Sequence, residues 1–263
     1  MRRPGPFHLY LAGSGMLIAL LILLPIGALL LASSPMELAH LLGDHEVLQA
    51  IRITLLASLL ALPPILLFGL PAAYGLSRLD RRRRRGLEML LELPLVMPPV
   101  VAGLALLLAF GRRGLLGDLL AGVGLRLPFT LAAVVIAILF IVTPSFVRRC
   151  SLLFDSLDHR LEEAALLLGA TPHQVFFRVS LPLARRGLVA ETIMAQAQGI
   201  GLFGAVILFA GNLPGRTQTL SLAIYSAFES DPPRAFALGS LLLLISLLLL
   251  GAVRLVTPRG PKP

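Results

Sequence analysis

Apolar residues in this chain neither alternate nor recur every third or fourth position. They run in long blocks with scarcely a polar interruption. Six blocks, at 11–32, 53–77, 89–110, 127–147, 187–210 and 235–254, are each long enough to cross about 30 Å of hydrocarbon as a helix rising 1.5 Å per residue. The first, second, fourth and sixth carry almost no charge; the third has Glu88 and Glu92 at its entrance, and the fifth has Glu191 near its start. The pattern predicts an all-α integral membrane protein with six transmembrane helices, a single domain over 1–263. The opening MRRPGPFHLY followed by an apolar run to Ala32 is too long for the core of a signal peptide and lacks an A-x-A cleavage site, so it reads as a retained first span.

Composition strengthens this reading. At 57% hydrophobic and 14% charged, with a mean hydropathy of +0.88, the chain has more apolar surface than a soluble domain of its length can hide. A net charge of +9 would suit a nucleic-acid ligand, but the charge is distributed by side. With the N-terminus inside, Arg2 and Arg3, Arg78 with Arg81 to Arg85, Arg148, Arg149, Arg160, Arg178, Arg185, Arg186, Arg254, Arg259 and Lys262 face the cytoplasm. Arg52, Arg112, Arg113, Arg126, Arg216 and Arg234 face out. That asymmetry orients membrane proteins and places both termini in the cytoplasm; DRRRRR at 80–85 becomes a short inner loop beside anionic lipid headgroups.

Other classes are excluded by what is missing. Lys262 is the only lysine, so no P-loop lysine is available to reach a nucleotide's phosphates. The five histidines are scattered without ligand spacing, which predicts no metal site. A lone Cys150 forms no disulfide framework. Glu88 and Glu92 lie a turn apart, but pairing of Arg84 with Glu88 at i,i+4 accounts for them more simply than catalysis. Gly199, Gly201 and Gly204 in QAQGIGLFGA spell a dinucleotide fingerprint. They lie mid-span, without the strand, helix start and downstream acid that fingerprint needs, and read instead as helix packing or a hinge.

The one long inner loop, 148–186, predicts two short helices. The first covers about 157–168, with Glu162 and Glu163 in its early turns, and Gly169 ends it in a left-handed cap. Thr171 caps the second, with Pro172 at its first position and Gln174 closing a capping box. Val175, Phe176 and Val179 give it an apolar side, and Leu181-Pro182 stops it. Read from the residues alone, the hairpin either packs on its own bundle or offers a knob to a partner.

Glu163-Ala164-Ala165, Gly169 and Val179-Ser180-Leu181-Pro182 also resemble the EAA motif of permease subunits in bacterial, binding-protein-dependent ABC importers, with Val179 where the motif has Ile. The resemblance implies the type I ABC importer permease fold and makes this loop the coupling helix, docked on a separate cytoplasmic ATPase chain that holds ATP and Mg. It carries Glu163, Ala164, Ala165, Gly169, Thr171, Pro172, Phe176, Leu181 and Pro182 over as ATPase-coupling residues. The chain itself would be non-catalytic and need no cofactor.

LELPLVMPPVVAGLALLLAFGRRGLLG (91–117) and FGAVILFAGNLPGRTQTLSLAIYSAF (203–228) look like permeases for molybdate, related to those for tungstate and sulfate; Leu202 stands where such permeases often have Glu. The resemblance implies a homodimer in the bacterial inner membrane, two ATPase subunits inside and an oxyanion-binding protein outside. Pro98 and Pro99 interrupt the third span, as protein-lined cavities tolerate. Thr192, Gln196, Gln198, Gly201, Gly204, Asn212 and Gln218 complete the expected path of weak, neutral donors. Gln196 and Gln198 cannot share a helix face, so at most one meets the path. The segment TQTLSLAIYSAF is long enough for an outer helix but not for a span. Arg112, Arg113 and Arg216 serve either electrostatic attraction or ordinary loop solvation.

Overall fold

A computed structural model describes residues 6–256; Arg2, Arg3, Arg259 and Lys262, which the charge argument used, lie outside them. Helix α1 (Pro6–Leu31) and the short α2 (Pro35–Leu41) lead into α3 (His45–Ser77), α4 (Arg81–Val96), α5 (Pro99–Phe110), α6 (Gly117–Gly122) and α7 (Leu131–Asp155). Then come α8 (His159–Leu167), α9 (Pro172–Val175), a π-helical turn at Phe176–Ser180, α10 (Leu181–Ile200), α11 (Gly204–Phe209), α12 (Leu220–Ser230) and α13 (Pro232–Val256). No strand occurs among the described residues.

Four helices are continuous and apolar enough to span a bilayer: Tyr10–Leu31, His45–Ser77, Leu131–Asp155 and Pro232–Leu255. The expected third span is instead α4 and α5, bent by 105°. Pro98 and Pro99 lack amide hydrogens to continue the ladder, and the residue before each is driven to extended backbone, as the Met97 ψ of 130° records. The expected fifth span is also broken, between α10 and α11, and Arg185, Arg186, Glu191, Gln196 and Gln198 make α10 more polar than the four continuous spans. QAQGIGLFGA is therefore a joint, not the middle of a helix: Gly201 terminates α10 and Gly204 opens α11.

Local chemistry sets many of the boundaries. Asp44, Asp80, Thr130 and Asp158 each accept a backbone N–H of the helix they precede. Ser34 and Glu37 close a capping box around Pro35 at the start of α2. The fourth span runs past its expected end at 147 to Asp155, so Arg148 and Arg149 are helical rather than in the loop.

The core is the α3–α7 pair. Ala57, Ala61 and Ala73 of α3 are buried with Ala133, Ala137, Ile141 and Phe146 of α7. A Cβ on Gly69 would stand 3.0 Å from Phe146 Cδ1, so the small residues set the close approach of the backbones. Helix α1 buries none of its span and meets the bundle at α13, where Ser240 Oγ donates to Leu29 O and contacts Ser33 Oγ at 3.1 Å. A second cluster, including Leu41, Val47, Leu220 and Leu238, packs the end of the bundle that holds α2 and α12. Helix α12 is too short to span, as expected, and Leu220 N donates to Thr54 Oγ1 of α3.

Candidate functional site

Arginine and acid side chains knit the end of the bundle where α3, α4, α7 and α8 meet. Arg84 donates to Glu88 at 2.8 Å, the expected i,i+4 pair, and also to Asp155 at 2.7 Å. Arg148 pairs with Glu92 across α7 and α4, and Arg149 with Glu191 across α7 and α10 at 2.5 Å. The second acid of the α4 pair is thus taken by an arginine on another helix, which sequence spacing alone does not reveal.

The α8–α9 hairpin lies at this end. Gly169 takes a φ of +88°, the left-handed cap that a Cβ would strain. Thr171 Oγ1 accepts from Gln174 N while Gln174 Oε1 accepts from Thr171 N, the full capping box. The second helix does not stop at Leu181-Pro182. It widens into the π turn, where Leu181 N donates to Phe176 O, and continues as α10, with Pro182, which has no N–H to give to the preceding turn, directly after it.

Surfaces divide differently from the expected contact set. Glu163, Ala164, Gly169, Thr171 and Pro172 are exposed, and Leu167 and Leu168 are 88% and 89% exposed. Phe176 is buried instead, its ring 4.8 Å from that of Tyr74, while Phe177 beside it is outside. Glu162, not Glu163, is the buried acid: it receives Arg78 Nε at 2.9 Å, Arg78 Nη2 at 2.5 Å and Ser180 Oγ at 2.6 Å.

The expected path residues separate into two groups. At the joint, α5 and α11 start against each other. A Cβ on Gly204 would come within 2.7 Å of Pro99 Cβ, and one on Gly103 within 2.7 Å of Ala205 O. Pro98, Pro99 and Gly201 remain exposed there. Thr192 Oγ1 donates to Leu188 O within its own helix. Both glutamines turn to neighbours: Gln196 Nε2 donates to Ser58 Oγ of α3, and Gln198 Oε1 accepts from Ser145 Oγ of α7.

The second group sits at the opposite end. Asn212 Nδ2 donates to Ser226 Oγ at 2.7 Å, and Gln218 Nε2 to Asn212 Oδ1 at 2.9 Å. Gln218 and Ser226 line a cavity of about 160 Å³ together with Glu46, Asp231 and Arg234. Arg234 is engaged by Asp44 at 2.6 Å and Glu46 at 3.5 Å, so acids outnumber the cation and the cavity disfavours an anion. On α12 the Tyr225 phenol is held above its ordinary pKa by its hydrogen bond to Glu229.

Residues 65–260 match the family described as binding-protein-dependent transport system inner membrane component. The chain belongs to that family. It is an ABC importer permease, and its relatives include permeases of differing cargo. The molybdenum transport system permease protein ModB of Mycobacterium tuberculosis is 42% identical over 194 residues, 74% of each chain. The sulfate transport system permease protein CysT of Escherichia coli is 35% identical over 260 residues, 97% of this permease and 94% of its own length. The crystal structure of a bacterial alginate ABC transporter in complex with an alginate pentasaccharide-bound periplasmic protein has a chain that matches with a TM-score of 0.67 at 19% identity. The match covers 97% of this permease and 96% of that chain, a likeness of fold.

Proposed function

We propose that this permease forms the membrane path of an ATP-driven importer of a tetrahedral oxyanion, molybdate first. It acts as a homodimer, with two ATPase subunits against the α8–α9 hairpin on the cytoplasmic side and an oxyanion-binding protein on the outer side. Both termini lie in the cytoplasm. The observation that carries the reading is the hairpin: capped at Gly169 and Thr171, it holds Leu166, Leu167 and Leu168 out of the core. Exposed aliphatic side chains on a locally fixed turn suit a protein cleft.

ATP and Mg belong to the partner. ATP binding closes the ATPase pair, the hairpins follow, and the helices they join move between inward-open and outward-open arrangements. The path runs past the joint of the broken helices, where Pro98, Pro99 and Gly201 are exposed and Thr192 and Gln196 are half-buried nearby on α10. Glu163, Ala164, Ala165, Gly169, Thr171 and Pro172 contact the ATPase.

Sulfate is the second reading, favoured by the CysT match over nearly the whole chain. Titration of the cognate binding protein with molybdate, tungstate and sulfate decides the anion, and uptake into proteoliposomes decides the mechanism. Molybdate should bind most tightly, and uptake should require a co-purifying ATPase and ATP. Uptake by the permease alone would assign it to carriers that work without an ATPase.

A further inference from the structure

Helix α8 is attached to the bundle in an unusual way. Of its nine residues, Glu162 is the one buried side chain, and it is a carboxylate rather than an apolar group. Leu161 and Leu166 are about half exposed and Leu167 almost wholly so. Among the described residues Glu162 is also the one buried acid. The grip on α8 is therefore made of directional hydrogen bonds more than of burial.

Three bonds converge on Glu162 from two elements. Arg78, the residue that ends α3, presents Nε and Nη2 to the two carboxylate oxygens as a fork at 2.9 and 2.5 Å. Ser180, fully buried at the last position of the π turn, donates Oγ–H to Oε1 at 2.6 Å. The third guanidinium nitrogen, Nη1, donates to Ser77 Oγ at 3.1 Å, and the plane of Arg78 lies over Tyr74, its Cζ 4.8 Å from the ring centroid. Tyr74 in turn meets Phe176 at 4.8 Å and Phe154 of α7 at 5.4 Å. The guanidinium is thus fixed from both its edge and its face. A bidentate arginine–carboxylate pair resists rotation in a way a single contact does not. The π turn places Ser180 at the start of α10, so one carboxylate joins α8 to the ends of both α3 and α10.

We infer that the Glu162–Arg78–Ser180 junction is the rigid link that carries displacement of the α8–α9 hairpin to α3, while α10 follows through the unbroken backbone of the π turn. Glu162 acts as a positioning residue for transport, distinct from the exposed residues that touch the ATPase. This rests on the proposed docking of the hairpin. Without the link, α3 no longer follows a docked hairpin, and hydrolysis proceeds without transport.

The test uses the full transporter, permease with its ATPase and binding protein, in proteoliposomes. Glu162→Gln, Arg78→Lys and Ser180→Ala are each scored for ATPase recovered with the permease, ATP hydrolysed and molybdate or sulfate taken up. The expected result for Glu162→Gln and Arg78→Lys is normal ATPase recovery, hydrolysis within about twofold of the parent, and anion transported per ATP lowered at least tenfold. Ser180→Ala, which leaves the fork in place, should lower that ratio by less. Hydrolysis and uptake falling together at an unchanged ratio, with a lower melting temperature, would make the junction structural only and overturn the inference. Loss of the ATPase from Glu162→Gln alone would make Glu162 a docking residue and overturn it as well. If the unsubstituted permease retains no ATPase, the docking on which the inference rests is what fails.

Discussion

Gly204 and Pro99 touch where two broken helices begin: a Cβ built on the glycine stands 2.7 Å from Pro99 Cβ and 3.1 Å from Pro99 C. Both neighbours are stiff, one a ring and the other backbone, so there is no flexible side chain to yield. Gly204→Ala should therefore destabilise the permease by about 1–3 kcal/mol, the usual cost of overpacking. Gly201, three residues earlier, has a φ of −84°, and a Cβ built on it would meet nothing closer than Ala197 O at 3.8 Å. Gly201→Ala should be neutral or slightly stabilising. Thermal unfolding of the two variants in detergent checks the order, and equal effects would contradict the joint.

The two arginines in succession on α7 should differ in worth. Arg149 and Glu191 are 34% and 25% exposed, whereas Arg148 and Glu92 are 50% and 41% exposed. Glu191→Gln should cost about 2 kcal/mol, because a charge-assisted bond is lost and a partly desolvated guanidinium is left behind. Glu92→Gln should cost less than about 1 kcal/mol and should matter less still in high salt. Melting temperatures at low and high ionic strength measure both.

Leu167 contributes almost nothing to the core, so a charge there should leave the fold alone. Leu167→Asp is expected to keep the parent melting temperature while ATPase recovery falls at least tenfold. An unchanged yield of ATPase would mean that the leucines of the hairpin are not its contact.

Ser226 receives Asn212 Nδ2 and lies 3.5 Å from Gln218 Nε2. Ser226→Ala should cost about 1 kcal/mol as the Asn212 amide loses its acceptor. Because this cavity is acidic, the substitution should leave the anion KM for uptake unchanged. A raised KM would put the cluster on the route of the anion after all.

The features legible in the sequence are those decided within a few residues. Gly169 and the Thr171–Gln174 box could be read because a cap is made by neighbours three positions apart. The choice between Glu162 and Glu163 could not, since it was made by Arg78, distant in sequence. The resemblance assigns Phe176 to the ATPase, but its ring packs on Tyr74 of α3 and Phe154 of α7, partners that local spacing does not show. The two prolines announced a break in the third span, but its 105° angle follows from the packing of α5 on α11. The glycines of QAQGIGLFGA were visible too. Their apolar neighbours read as a continuous helix, and only the partner at Pro99 gives Gly204 its place.

Cys150, the single thiol of the chain, points from α7 into the core with no exposed surface. A cysteine introduced at Arg160 or Val100, both exposed, would therefore be the only one within reach of a fluorophore or spin label. The natural sequence is close to a single-site reporter background: one substitution at the hairpin and one at the joint would let their separation be followed through the ATP cycle, with the native thiol left in place.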